Sequence, residues 1–132
     1  MAARLLIIDD DVGLTKVVGM IASYVGMEFK AHNSSRDAIE VFLQYKPDVV
    51  IVDMIMPDKD GIDVLDEIMR TGIPTQIVLT SRLSDAYLKL GQGVATFHGR
   101  ENVRLLRKPF RRNELVELLR DLTSTPPRSS TC

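Results

Sequence analysis

The sequence predicts an α/β domain, a parallel sheet with helices on both faces. Three observations carry this. Apolar runs too short for helices recur along the chain, at Leu5 to Ile8, Val49 to Val52 and Ile77 to Leu79, with a weaker one at Val103 to Leu106. Short runs without polar alternation suit parallel strands covered on both sides. Helical patterns lie between them, so strand and helix alternate five times along the chain. Such alternation requires crossovers, and right-handed crossovers put helices on both faces of the sheet.

The elements follow in order. After the first run, Val17, Met20, Ile21 and Tyr24 recur at spacings of three and four. They predict a helix from Val12 to Val25, with Gly26 as its stop. Residues 27 to 31, Met-Glu-Phe-Lys-Ala, alternate and predict a strand nearer the edge. Ser34 or Ser35 is placed to cap a second helix, with Ala38, Ile39, Phe42 and Leu43 as its inward stripe and Pro47 beyond its end. A third helix is expected from about Ile62 to Arg70, burying Val64, Leu65 and Ile68, with Gly72 beyond. A poorly patterned helix runs from Ser84 to about Gly93. Asn113 is placed to cap the last, whose stripe is Leu115, Val116, Leu118, Leu119 and Leu122. Residues 1–122 then form one domain. Residues 123–132, "TSTPPRSSTC", form a Ser/Thr/Pro-rich tail or linker.

Composition bounds the function classes. The chain has 132 residues, enough for one domain, and is 45% hydrophobic and 27% charged, so a packed core is expected. Its net charge of −1 comes from 17 basic and 18 acidic residues and exerts no overall pull on nucleic acid or anionic membrane. Cys132 is the only cysteine, which excludes an intrachain disulfide. Leu5 to Ile8 is too short for a signal peptide and runs into three aspartates, and no segment reaches the roughly 18 apolar residues of a membrane helix. A cytoplasmic protein is expected.

In open parallel sheets, sites form beyond the carboxyl ends of the strands. Four of the five predicted ends carry reactive groups: Asp9-Asp10-Asp11, Asp53, Thr80-Ser81 and Lys108-Pro109. Separations of 43, 27 and 28 residues divide Asp10, Asp53, Thr80 and Lys108. Each group alone is commonplace: an aspartate run caps helices, Asp53 suits a turn, and Lys108-Pro109 suits a loop. Together they specify chemistry. Asp9, Asp10 and Asp53 would repel one another unless a hard cation intervened, and Mg2+ prefers oxygen ligands and retained waters. One divalent ion and Lys108 balance the three carboxylates. Such a cluster is suited to receiving a phosphoryl group, with Asp53 as nucleophile and the Thr80 hydroxyl bonding a phosphoryl oxygen.

These residues resemble those of a response-regulator receiver domain, the CheY-like phosphoacceptor module of two-component signalling. The matching positions are Asp9-Asp10, then Asp53-x-x-Met56-Pro57-x-x-Asp60-Gly61, Thr80, and Lys108-Pro109-Phe110. The resemblance covers about residues 3 to 122. It implies a flavodoxin-like fold, a five-stranded parallel sheet of order 2-1-3-4-5. It implies that Asp53 is the phosphoacceptor and that Asp9, Asp10, Asp53 and the Ile55 backbone carbonyl hold Mg2+. Lys108 would bind phosphate, with a cis bond to Pro109. A histidine kinase or histidine phosphotransfer protein would be the donor, and an output partner or downstream domain the receiver of the signal. No direct nucleic-acid or membrane partner is implied. The module catalyses only its own phosphorylation and dephosphorylation, and a shift in residues 84–112 would carry the signal.

The chain departs from the family in places. Ser81 follows Thr80 where a smaller residue is usual. Leu105 stands three residues before the lysine, where an aromatic usually switches position; Tyr87 and Phe97 are other aromatics, both expected in the core. The segment between Thr80 and Lys108 is longer than usual. Ile55 and Arg82, two residues past Asp53 and Thr80, predict slow autodephosphorylation, with Arg82 pairing with phosphate or carboxylates. His32 and His98 read as loop or surface residues. Arg100, Arg104, Arg107, Arg111 and Arg112 read as a solvated face, or else as a docking surface for an acidic partner. Two other functions are weighed against the switch. A phosphatase with an aspartyl-phosphate intermediate would need an acid/base carboxylate where Ile55 stands, and a cap for which the chain has no room. A degenerate module that is never phosphorylated would not need every key residue.

Overall fold

The computed structural model describes residues 2–82, 85–99 and 103–124. Strands β1 (Arg4–Ile8), β2 (Glu28–His32), β3 (Val49–Asp53), β4 (Gln76–Ser81) and β5 (Arg104–Arg107) alternate with helices α1 (Val12–Tyr24), α2 (Ala38–Tyr45), α3 (Gly61–Arg70), α4 (Asp85–Phe97) and α5 (Arg112–Ser124). The five strands are parallel and ordered β2-β1-β3-β4-β5, the predicted flavodoxin-like sheet.

Period-two side chains divide the core between the two faces. Leu6, Ile8, Val50, Val52, Ile77 and Leu79 pack with α2, α3 and α4 through Phe42, Leu65, Ile68 and Ala95. Leu5, Ile7, Val49, Ile51, Val78 and Leu106 pack with α1 and α5 through Val18, Ile21, Leu115, Leu119 and Leu122. The runs of the three inner strands β1, β3 and β4 are apolar and buried because both faces are covered, while the edge strands β2 and β5 are partly exposed.

Several local expectations are corrected. In α1 the buried residues are Thr15, Val18, Ile21 and Ala22, while Val17, Met20 and Tyr24 are exposed. Both sets satisfy helical spacing. Small residues at 18 and 22 let α1 approach the sheet, and Tyr24 instead lies under the guanidinium groups of Arg112 and Arg120. Neither serine caps α2. The Ser34 hydroxyl accepts the Arg36 N–H in a turn, and Asp37 precedes the helix in the left-handed conformation. Leu43 is exposed, although Ala38, Ile39 and Phe42 join the core.

Helix α4 extends to Phe97, past the expected end near Gly93; Ser84 lies outside the described residues. Gly93 thus lies inside the helix, as does Gly91, where a Cβ would come within 2.7 Å of the Met54 Cε. Phe97 is 83% exposed rather than core, and the Tyr87 side chain lies outside the described residues. Asn113 falls within the first turn of α5; the cap is the Arg111 N–H donating to the Glu114 Oε1. Thr123 and Ser124 continue α5, each hydroxyl donating to a carbonyl of the last turn, so the helix passes the expected boundary at 122. Residues 125–132, including Cys132, lie outside the described residues.

Candidate functional site

Sheet register brings the site together. Asp53 and Thr80 are direct partners on β3 and β4, and the ladder continues beyond them as the Met54 N–H donates to the Thr80 carbonyl. At the outer strand the Lys108 N–H donates to the Ser81 carbonyl. On the other side the Asp9 N–H donates to the His32 carbonyl. Asp9 and Lys108 thus stand one step beyond β1 and β5, Asp53 is the last residue of β3, and Thr80 is the last but one of β4.

Asp9, Asp53, Thr80 and Lys108 are all buried, while Asp10 is exposed. The Lys108 Nζ lies 2.6 Å from the Asp9 Oδ2 and 3.3 Å from the Asp53 Oδ2. Asp53 Oδ1 accepts the Ile55 N–H at 3.1 Å, and Asp9 Oδ1 accepts the Asp11 N–H at 2.9 Å. Burial pushes the Asp53 carboxyl above the usual carboxylate range. The Ile55 N–H and Lys108 pull it down, and the charge of Asp9 pushes it up. The Lys108–Pro109 bond is cis.

The residues fit a hard divalent cation. Asp9, Asp10 and Asp53 each offer a carboxylate oxygen, all within 4.8 Å of one another, and exposed Asp10 leaves one side open for water ligands. The Thr80 hydroxyl is buried and has no partner among the described residues. An orphaned donor of this kind is costly unless another group arrives to accept from it.

Sequence reasoning passed over the residues that position these groups. The Asn33 Nδ2 donates to the Asp9 carbonyl at 2.9 Å and to the Thr15 Oγ1 at 3.1 Å, tying the β2 end to β1 and α1. Asn33 follows β2, an end with no charged group, so only its amide marked it. For Gly61, part of the motif the sequence offered, the structure supplies the reason: a Cβ there would lie 2.2 Å from the Asp53 carbonyl oxygen and 2.5 Å from the Met54 Cα. Only glycine lets α3 start against this loop, with its N–H donating to the Met54 carbonyl. Arg82 pairs with a carboxylate as expected, its Nη2 lying 3.2 Å from the Asp11 Oδ2.

The remaining candidates lie elsewhere. Leu105 is partly exposed on β5. The His32 ring contacts the Arg36 carbonyl. His98 is more buried than a surface loop residue: its Nε2 is 2.7 Å from the Asp66 Oδ1, joining the end of α4 to α3. Of the basic group around β5, Arg104 pairs with Asp121 and Arg112 covers Tyr24, while Arg100 lies outside the described residues.

The family model for the response regulator receiver domain matches residues 5–120. The chain belongs to this family. The chain is 32% identical over 122 residues to the transcriptional regulatory protein TrcR of Mycobacterium tuberculosis, covering 90% of this chain and 44% of that protein. It is 28% identical over 123 residues to the chemotaxis protein CheY of Thermotoga maritima, covering 90% of this receiver and 96% of that protein. The receiver therefore spans about half of the regulator and nearly all of CheY. Among solved structures, the receiver domain of a LuxO repressor protein from Vibrio parahaemolyticus superposes with a TM-score of 0.79 at 25% identity, covering 94% of this chain and 92% of that one. A CheY-like receiver from Methanospirillum hungatei superposes with a TM-score of 0.81 at 16% identity, over 94% and 96% of the two chains, and supports the fold alone. No helix among the described residues is long and apolar enough to cross a membrane.

Proposed function

We propose that this receiver accepts a phosphoryl group on Asp53 in a Mg2+-dependent reaction, from a phosphohistidine of a histidine kinase or histidine phosphotransfer protein in the cytoplasm. The observation that carries the reading is the pairing of Asp53 with the orphaned Thr80 hydroxyl across one rung of the sheet, beside the Lys108 ammonium. An Asp53 carboxylate oxygen attacks phosphorus; the O–P bond forms as the N–P bond breaks, and the imidazole leaves with a proton from solvent. Lys108 holds one phosphoryl oxygen. Thr80 donates to another, which satisfies its hydroxyl. Asp9, Asp10, Asp53 and the Ile55 carbonyl would hold Mg2+, which when bound supplies positive charge against the phosphoryl oxygens.

The receiver acts as a switch that catalyses only its own phosphorylation and dephosphorylation. The new charge favours a different arrangement of residues 84–112, which an output partner or a further domain reads. With Leu105 at the usual aromatic position, the read-out uses no aromatic there. Ile55 offers no polar side chain to orient a hydrolytic water, so the acyl phosphate is long-lived. Incubation with acetyl phosphate and Mg2+ tests the reading. One phosphoryl group per chain is expected, none without divalent cation, and none on the Asp53→Asn variant. Labelling of that variant to the same stoichiometry contradicts it.

A further inference from the structure

Met54 follows Asp53 and is fully buried. Its backbone is held on both sides. Its N–H donates to the Thr80 carbonyl of β4, and its carbonyl accepts the Gly61 N–H at the start of α3. The Asp53 Oδ1 accepts the Ile55 N–H at 3.1 Å, so the Asp53 carboxylate itself closes a turn whose middle residue is Met54. The Met54 side chain reaches α4. There Gly91 is buried, and a Cβ on it would lie 2.7 Å from the Met54 Cε, 3.4 Å from its Sδ and 2.8 Å from the Leu79 Cδ1. Two methyl groups thus fill the place of a side chain on α4. One belongs to the residue after Asp53, the other to the residue before Thr80. Ala95, four residues on and therefore on the same face, is buried too, so small residues let α4 come close to the sheet.

We propose that the Met54 side chain under Gly91 is the contact through which Asp53 and α4 sense each other. This rests on Asp53 being the phosphoacceptor. Phosphorylation turns the Asp53 carboxylate into a mixed anhydride, and the oxygen left to it is a weaker acceptor for the Ile55 N–H. The turn around Met54 loosens. Across the same rung the phosphoryl group draws the Thr80 hydroxyl toward itself, and Leu79 moves with the strand end. Both methyl groups under Gly91 shift together. Close-packed interiors answer such shifts by moving whole elements, so α4 is displaced. The coupling is reciprocal: whatever unseats α4 favours the phosphorylated site.

A contact that only stabilises the fold and a contact that couples make different forecasts. Gly91→Ala places a methyl group where Met54 and Leu79 already are. The Met54 end is flexible, so the low end of the usual overpacking cost applies, and labelling by acetyl phosphate should speed up about fivefold as the displaced population grows. Met54→Leu keeps the volume but loses the terminal methyl. In the Gly91→Ala chain it should bring the rate back toward wild type. In wild type, phosphorylation should speed amide exchange along α4, and Met54→Leu alone should shrink that response. The experiment follows labelling by intact mass at saturating Mg2+ and α4 by hydrogen exchange before and after phosphorylation, in wild type, both single variants and the double variant. A Gly91→Ala rate equal to or below wild type, a rise that Met54→Leu leaves in place, or an exchange response that is absent in wild type or undiminished in Met54→Leu overturns the coupling while leaving Asp53 as acceptor. If Gly91→Ala does not fold, the exchange response decides alone. Wild type that never labels overturns both.

Discussion

Lysine 108 offers the most direct access to the energetics of the site. Its side chain is 6% exposed and its ammonium touches two carboxylates, at 2.6 Å from Asp9 and 3.3 Å from Asp53. At an effective dielectric of about 20 the two attractions are about 6 and 5 kcal/mol before desolvation is charged against them. Burying three charges cancels much of that, so the pair contributes little beyond an apolar replacement of all members. Removing one member is different. Lys108→Met keeps the stem and its packing but leaves two buried carboxylates facing each other. Breaking a buried pair typically costs about 3–5 kcal/mol, and the open side at Asp10 admits water, so the low end, about 3 kcal/mol, is expected at neutral pH without divalent cation. Urea unfolding measures it. The loss should shrink on acidification, as protonation removes the repulsion, and shrink again when Mg2+ takes the place of the lysine charge. A loss under about 1 kcal/mol, or one indifferent to both pH and Mg2+, refutes this account of the cluster.

Three further outcomes are expected. Asp53 has its pKa raised above the unfolded value, so its contribution to stability is fully present at low pH and is lost as pH rises through the folded pKa. Asp53→Asn should therefore raise the Tm of metal-free protein at neutral pH and lose that advantage in acid, as a calorimetric pH series would record. Thr80→Val replaces a buried hydroxyl that has no partner, and should leave the resting protein as stable or more stable by about 1 kcal/mol while shortening the phosphorylated lifetime. Gly61→Ala drives a Cβ into the Asp53 carbonyl and the Met54 backbone, so a loss of about 2–3 kcal/mol with weakened Mg2+ affinity is expected; an unchanged Tm and titration would count against the close approach.

The strand runs were legible because parallel strands covered on both faces carry no competing signal: Leu5 to Ile8 and Val49 to Val52 admit few other readings. The strand order itself was implied by the family resemblance. The site was legible for the same reason as the strands, since its residues sit at run ends, where register fixes them. Helix faces were harder to read. In α1 two interleaved sets obey the same spacing, and the sheet selects the smaller side chains. Capping was misread at Ser34 because its hydroxyl serves a turn instead, and at Asn113 because the Glu114 carboxylate takes the N–H before the helix. Glycine was ambiguous too: α4 runs on through Gly93, near which its end was expected, to Phe97. Asn33 escaped notice, and Asp11 was not foreseen as the carboxylate that Arg82 meets, because these contacts depend on proximity across 24 and 71 residues, which no local pattern encodes.

The central claim is that Asp53 is a Mg2+-dependent phosphoacceptor, and intact mass spectrometry after acetyl phosphate treatment tests it most directly. The account predicts one added phosphoryl group, mapped to the peptide holding Asp53 and abolished by chelation of divalent cation. A chain that stays unmodified with Mg2+ present, or one modified at another residue, contradicts it.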